Sequence, residues 1–182
     1  ERGTLECQLS NLADEIAYNT SDLDDGLRVG LFTVEDIMGL PLVGDCFREV
    51  DTKYPQLAPG RRQHEALRRV FGVMVEDVLV TSKRLIQQDN PASVEEVRAL
   101  DHAVIQFSNG LWSDIKIIRK FLFKRMYRAP SVVEMRERVS KVLEDLFAHM
   151  LANPSDLPSN WQGQLGGANE TAIGESKNGT HP

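Results

Sequence analysis

The fold of this protein is decided by a stretch near the start of the chain, TLECQLSNLADEIAYNTSDLDDGLR, which runs from Thr4 to Arg28. Its leucines and its isoleucine stand at positions 5, 9, 12, 16, 23 and 27, in steps of four and three residues once polar Thr20 is accepted as a gap. At about 3.6 residues per turn, this spacing puts all six side chains on one narrow stripe of an α-helix. The stretch therefore predicts one long amphipathic helix.

Turn residues and capping signals divide the rest of the chain into further helical segments. They predict a short helix from Thr33 to Gly39, a helix over residues 43–53, a long helix that ends at Asp89, a short helix from a capping box at Ser93 to Glu96, a helix over residues 111–126, and a helix from a capping box at Ser131 to Glu134. No alternating stretch longer than four residues indicates a strand. The sequence therefore predicts an all-α fold.

The composition changes after Pro154, where Gly, Ser, Asn, Thr and Pro dominate and little can be buried. We expect one helical domain over residues 1–162, with Trp161 as its last anchor. A flexible C-terminal tail over residues 163–182 is expected to follow.

The overall composition excludes several classes of protein. With 41% hydrophobic residues among 182, the chain has enough apolar side chains for a sizeable core. It contains no run of about 18 apolar residues, so no membrane span is expected. Two cysteines, Cys7 and Cys46, suit a cytoplasmic protein and are expected to be small buried residues. The formal charge of −6 argues against a dedicated nucleic-acid binder.

The first helix has a second ordered face, opposite its apolar stripe. Asp14, Tyr18 and Asp22 follow one another in steps of four residues, which places them in a row about 6 Å apart. Such a row can hold a metal ion at one end and a sugar beyond it. A merely solvated acidic face would show the same pattern, so both interpretations stay open at this point.

Three segments carry a resemblance to a known family: NLADEIAYNTSDLDDGL at residues 11–27, YRAPSVV at residues 127–133 and LPSNW at residues 157–161. Together they resemble the C-terminal half of the HD-domain deoxynucleoside triphosphate triphosphohydrolases, the bacterial dGTPase-like family. The resemblance covers roughly residues 4–161 and implies the C-terminal part of a helical HD-domain-like bundle.

The resemblance also implies a role for each residue of the row. Asp14 matches the aspartate that completes the family's metal site. Tyr18 matches the tyrosine that stacks on the deoxyribose and leaves no room for a 2′-hydroxyl, and Asp22 matches the carboxylate that accepts from the 3′-hydroxyl. The implied reaction is attack of a metal-activated water on the α-phosphorus of a dNTP, which releases a deoxynucleoside and tripolyphosphate. Carboxylate and imidazole ligands suit Mg²⁺, Mn²⁺ or Fe²⁺.

The sequence departs from the family at the metal site. The family's other ligands form H and HD motifs upstream of this helix, whereas no histidine of this chain precedes an aspartate: His64, His102, His149 and His181. One carboxylate cannot build a catalytic metal site. We therefore assign no catalytic residue and expect the chain alone to bind no metal and to be inactive, with the other ligands supplied by an N-terminal segment or another polypeptide.

Two basic groups are weaker candidates for phosphate binding. Lys116 and Lys120 belong to a basic and aromatic segment over residues 112–128, which suits a triphosphate or single-stranded nucleic acid but equally a helix with a solvated basic side. The second group opens the long fourth helix and consists of Arg61, Arg62, Arg68 and Arg69. Because cations are unfavourable at a helix N-terminus, we expect a compensating anion, either a nucleotide phosphate or an acidic side chain such as Glu65.

Two other functions remain as alternatives. The chain could be a non-catalytic helical module that binds nucleic acid through the basic segment, or part of an HD phosphohydrolase that acts on other nucleotides. The family is usually oligomeric, so the expected partners are a dNTP substrate, the upstream segment and further copies of the protein, with nucleic acid as a candidate regulator.

Overall fold

A computed structural model describes residues 3–165 of the chain. Within this range the secondary structure is helical and contains no strand, which confirms the all-α prediction. The helices are α1 (Leu5–Arg28), α2 (Val34–Ile37), α3 (Val43–Lys53), α4 (Pro59–Asp89), α5 (Val94–Ala99), α6 (Asn109–Leu122), α7 (Pro130–Ala152) and α8 (Ser159–Leu165). A π-helical segment, Phe123–Tyr127, continues α6, and a 3₁₀ turn, Pro154–Asp156, precedes α8. No helix within residues 3–165 is long and apolar enough to cross a membrane.

Helix α1 begins and ends where the sequence predicts. The Thr4 hydroxyl accepts a hydrogen bond from the N–H of Cys7, at 3.3 Å, and so caps the N-terminus. Gly30 follows the C-terminus with a φ of +72°, a conformation that glycine adopts without a steric penalty. These two signals confirm the predicted long first helix.

The apolar stripe of α1 is buried only in part. Ile16 and Leu23 lie in the core and Leu12 packs against it, whereas Leu9 is 53% exposed. The stripe therefore contributes to the core from Leu12 onward.

The core of the first compact unit, which ends at Val132, lies where α1, α3, α4 and α6 meet. Its fully buried side chains include Leu23 of α1, Val43, Phe47 and Val50 of α3, Val70 and Met74 of α4, and Ile115, Ile118 and Leu122 of α6. Burial of one side chain of this size contributes about 1.5–3 kcal/mol. A shared core therefore fixes α1 and α6, the two helices that carry the candidate site residues.

Side chains from α1 and α4 also hold the connection between α5 and α6. The side-chain Oε1 of Gln8 accepts hydrogen bonds from the N–H groups of Val104 and Ile105, at 3.0 and 3.2 Å. The Asp77 carboxylate accepts from the N–H and the hydroxyl of Ser108, at 2.7 and 2.6 Å. Because Ser108 is the N-cap of α6, these contacts determine where α6 begins.

His102 ties the same connection to the end of α4. Its Nε2 lies 2.9 Å from Asp89 and its Nδ1 lies 2.7 Å from Asp101. These hydrogen bonds, first to Asp101 and then to Asp89, raise the pKa of His102 because they stabilise the imidazolium.

The second compact unit begins at Val133 and contains most of α7 and all of α8. Apolar side chains at the C-terminal end of α7 and after it line a groove of about 440 Å³: Leu143, Leu146, Phe147, Met150, Leu151, Pro154 and Leu157. His149 Nε2 lies 2.8 Å from Asp156 and joins α7 to the 3₁₀ turn. Trp161, which we expected to be the last anchor, is exposed.

Local details differ from the sequence predictions in three places. Helix α7 begins at Pro130, so Ser131 lies within its first turn and is not the N-cap, because proline at the first helical position already sets the backbone angle. Cys46 is buried as predicted, but Cys7 is exposed. Helix α8 continues to Leu165, beyond the predicted start of the tail, and residues 166–182 of that tail lie outside the described residues.

Candidate active site

A cavity of about 500 Å³ lies between α1 and the continuous stretch of α6 and the π-helical segment. The cavity is lined by Asn11, Asp14, Glu15, Tyr18, Asn19, Asp22, Arg119, Lys120, Leu122, Phe123 and Tyr127. We call it the α1–α6 pocket. Its volume is within the range of small-molecule sites, and its wall combines carboxylates, aromatic rings and cations.

One wall of the pocket is the row predicted from the sequence. Asp14, Tyr18 and Asp22 all line it, as the steps of four residues require. The Tyr18 side chain is 60% exposed, so it is accessible to a ligand. Asn19 lies in the same wall but is buried, and its Nδ2 donates to the Glu15 backbone carbonyl at 2.7 Å.

The opposite wall comes from the π-helical segment. The N–H of Arg128 donates to the carbonyl of Phe123, five residues earlier, at 3.1 Å, which is the hydrogen bond that defines a π-turn. Phe123 and Tyr127 both face the pocket. Single π-turns inside α-helices are frequent at functional sites.

Tyr127 connects the two walls. Its hydroxyl donates a hydrogen bond to the carboxylate of Asp22 on α1. Burial, and then the hydrogen bond to Asp22, raise the pKa of Tyr127 to about 12. The phenol is therefore a proton donor at neutral pH and fixes one oxygen of Asp22.

The cations of the pocket are Arg119 and Lys120, both from α6. Arg119 Nη1 lies 2.9 Å from Glu15 Oε1, which forms an ion pair across the pocket. The pocket thus has a carboxylate and phenol region along α1 and a cationic region along α6. That arrangement can bind a ligand with hydroxyl groups at one end and negative charge at the other.

The other predicted phosphate-binding residues lie outside this pocket. Lys116 is exposed on α6, one helical turn before Lys120. Arg61 lines a separate, mainly apolar groove with Tyr54 and Leu57. The structure therefore brings Lys120 together with the row on α1, but not Lys116 or Arg61.

Acidic side chains of the protein compensate the other three predicted arginines of α4. Arg62 Nη2 donates to Asp51 at 2.8 Å, and this hydrogen bond lowers the pKa of Asp51. Arg68 Nη2 lies 2.9 Å from Glu65. Arg69 pairs with both Glu65 and Glu49, which are contributed by α4 and α3. The anion expected near the start of this helix is thus supplied by Asp51, Glu49 and Glu65.

The described residues do not assemble a metal site. Within residues 3–165, no three His, Cys, Asp or Glu side chains lie close enough together to hold a metal ion. Asp14 is available as one ligand in the α1–α6 pocket, whereas His102 is bonded to two carboxylates and His64 lines other grooves. The ligand set present here therefore does not fit a metal ion without further donors.

The sequence did not predict that Arg119, Phe123 and Tyr127 lie in the same site as the row on α1. Their steps of four residues were a usable signal, because they place all three on one side of a helix. The pattern does not reveal that α6 packs on α1. This packing brings Tyr127 to Asp22, which is more than a hundred residues away in the sequence.

Comparison with known proteins gives this architecture a class. The family described as Phosphohydrolase-associated domain matches residues 105–176, which include α6 and the π-helical wall of the pocket. This part of the chain is thus similar to a domain that is associated with phosphohydrolases.

Curated relatives of the chain have names that indicate a particular kind of phosphohydrolase. A deoxyguanosinetriphosphate triphosphohydrolase-like protein from Jannaschia sp. (strain CCS1) is 54% identical over 157 residues, which are 86% of this chain and 40% of the relative. Proteins of the same name from Ruegeria sp. (strain TM1040) and Brucella anthropi are 52% and 43% identical, over 88% and 87% of this chain and 42% and 40% of each relative.

These matches confirm the resemblance found in the sequence. The chain is similar to the deoxyguanosinetriphosphate triphosphohydrolase-like proteins and fits a C-terminal portion of such a protein. It spans about two fifths of the length of the curated relatives it matches.

Proposed function

We propose that this chain is part of a phosphohydrolase that converts a deoxynucleoside triphosphate to the deoxynucleoside and tripolyphosphate. The observation that carries the proposal is the α1–α6 pocket, in which Asp14, Tyr18 and Asp22 face Arg119 and Lys120. The names of the relatives, which refer to dGTP, support a purine deoxynucleotide as the substrate.

The sugar is expected to bind against Tyr18 and Asp22, beyond the Asp14 end of the row. The exposed Tyr18 side chain offers the deoxyribose ring a stacking surface, and a 2′-hydroxyl would have to fit against the same ring. Asp22 already accepts from Tyr127 and has further lone pairs for the 3′-hydroxyl. Tyr127 thereby orients the Asp22 carboxylate that would bind the sugar hydroxyl.

The triphosphate is expected to lie toward α6. Arg119 can donate two parallel hydrogen bonds to phosphate oxygens, and Lys120 adds a second positive charge beside it. We propose Arg119, together with Lys120, as the phosphate-binding residues that this chain supplies. Arg62, Arg68 and Arg69 of α4 are paired with acidic side chains, and Arg61 lies outside the α1–α6 pocket, so these four arginines are not part of this proposal.

Asp14 is proposed as one ligand of a divalent metal ion, Mg²⁺, Mn²⁺ or Fe²⁺, in the parent protein. Because the described residues contribute no further ligands around it, the parent must supply them from outside residues 3–165. We accordingly propose that this chain by itself is inactive. The proposal includes a cytoplasmic, oligomeric parent protein, with nucleic acid as a candidate regulator.

The nucleic-acid-binding alternative receives less support from the basic segment. Arg119 and Lys120 face the pocket, Arg125 pairs with Asp36 at 2.9 Å, and Arg128 stacks over the Phe123 ring at 5.1 Å. These cations therefore do not form one continuous track for a phosphate backbone.

Product analysis by phosphorus NMR tests the proposal. The parent protein, this chain joined to its upstream sequence, is incubated with dGTP, the other dNTPs and GTP in the presence of Mg²⁺ or Mn²⁺. We expect tripolyphosphate from the dNTPs, no product with Asp14→Ala, and a reduced preference for dGTP over GTP with Tyr18→Ala.

The matched control is Tyr54→Ala, which removes a partly exposed tyrosine outside the α1–α6 pocket. This variant should keep both the activity and the preference for dGTP. Inorganic phosphate or pyrophosphate as the product would favour a different HD phosphohydrolase. Absence of any product from every dNTP would refute catalysis at this pocket.

A further inference from the structure

Glu15 and Arg119 form the ion pair of the α1–α6 pocket in which both partners line the cavity. Arg119 Nη1 lies 2.9 Å from Glu15 Oε1, and the two side chains are 56% and 25% exposed. A second ion pair of the same kind, Arg125 with Asp36, has the same 2.9 Å separation but lies outside the pocket.

We infer that Glu15 is an internal counter-ion that a phosphate must displace from Arg119. The inference rests on the proposed function, since it concerns how the same pocket receives a phosphorylated ligand. A guanidinium that donates to a carboxylate on one edge has fewer donors for a phosphate, and the carboxylate repels the incoming anion. Glu15 thus lowers the affinity of the pocket for anions. Before a ligand binds, the same ion pair keeps the Arg119 side chain directed into the pocket.

The ligand that this arrangement selects is a polyanion. A singly charged anion exchanges one negative partner of Arg119 for another and gains little. A tripolyphosphate chain carries several charges, so it can contact Arg119 and Lys120 together and offset the repulsion from Glu15. The two cations together therefore favour triphosphates over monophosphates and over chloride, whereas Glu15 weakens the binding of every anion.

Calorimetric titration of this chain with inorganic tripolyphosphate tests the inference. The proteins compared are the unmodified chain, Glu15→Gln, Arg119→Gln and Asp36→Asn. Glu15→Gln and Asp36→Asn each change the net charge from −6 to −5. Each also removes the acidic partner of an arginine, Arg119 or Arg125, but only Glu15→Gln does so inside the pocket. Far-UV circular dichroism confirms that each variant is folded.

We expect Glu15→Gln to bind tripolyphosphate about fivefold more tightly, as one fewer unit charge about 4 Å away in water predicts. Asp36→Asn should leave the affinity unchanged, and Arg119→Gln should weaken it. The gain with Glu15→Gln should be smaller for monophosphate, because the repulsion that the substitution removes is proportional to the charge of the ligand.

Unchanged or weaker binding by Glu15→Gln would overturn the inference, as would an equal gain with Asp36→Asn or no binding by any of the proteins. A parent enzyme that fails to release tripolyphosphate from dNTPs would refute the proposed function but would leave this binding result standing. The two failures are therefore distinguishable.

Discussion

The hydrogen bond from Tyr127 to Asp22 joins the two walls of the α1–α6 pocket, and Tyr127→Phe removes it with little change in volume. The raised pKa of Tyr127 reflects first the cost of ionising a partly buried phenol, which the neutral side chain does not bear at pH 7. The loss of stability at pH 7 is therefore that of one hydrogen bond, made by a side chain that is 37% exposed. We therefore expect Tyr127→Phe to lower the free energy of unfolding by about 1 kcal/mol at pH 7.

The sign of the pH dependence follows from the raised pKa. The unfolded chain loses the Tyr127 proton near pH 10, whereas the folded chain keeps it until about pH 12. This contribution to stability is therefore complete below pH 10 and is lost as the pH rises through about 12.

Two measurements check this prediction. Urea unfolding followed by circular dichroism gives the loss of stability, and alkaline difference absorbance near 295 nm detects a late-ionising tyrosine among the three in the chain. The late component should disappear in Tyr127→Phe and persist in the control Tyr54→Phe. A late component that survives in Tyr127→Phe, together with unchanged stability, would refute the role of this hydrogen bond.

Two further predictions concern single titratable groups. Because Asp101 and Asp89 raise the pKa of His102, the contribution of this histidine to stability should be complete below about pH 6.5 and should fade as the pH rises through its folded-state pKa. Urea unfolding from pH 5 to 9 should show this decrease as a lower midpoint concentration. In His102→Gln the midpoint should depend less on pH. Burial raises the pKa of Cys46 to about 11, whereas Cys7 is exposed, so a disulfide reagent at pH 8 should modify Cys7 quickly and Cys46 only after unfolding. Fast reaction of both thiols in the folded protein would contradict the second expectation.

Local signals predicted much of the fold. The three-and-four spacing of leucines, with Thr4 before them and Gly30 after them, was sufficient for α1 because backbone hydrogen bonds and caps depend on neighbouring residues. The short second helix from Thr33 was predicted for the same reason, and a capping box of Thr33 and Asp36 begins α2. The exposure of Leu9 could not be predicted, since burial depends on which distant helices pack against the stripe.

The candidate site shows the same division between local and long-range information. The steps from Asp14 to Tyr18 and Asp22 give a row on one helix face, and the structure places the whole row in one pocket. The second wall requires α6 to pack on α1, and Tyr127 reaches Asp22 only because of that packing. The periodicity of a sequence does not show which distant helices pack together. Arg119 and Tyr127 were therefore recognised only as members of the basic segment.

The π-turn at Phe123–Tyr127 has a consequence for how sequences of this kind can vary in length. An α-helix accommodates one inserted residue as a π-turn, with a hydrogen bond five residues long like that from Arg128 to Phe123. Removal of one residue within this segment would restore regular α-helical pairing and rotate the side chains at its end, Tyr127 among them, by about 100° around the axis of α6. A single-codon deletion would thus carry Tyr127 away from Asp22 while leaving the buried face of α6 intact. We expect homologous sequences to tolerate length changes in the connection before α6 more readily than at this turn.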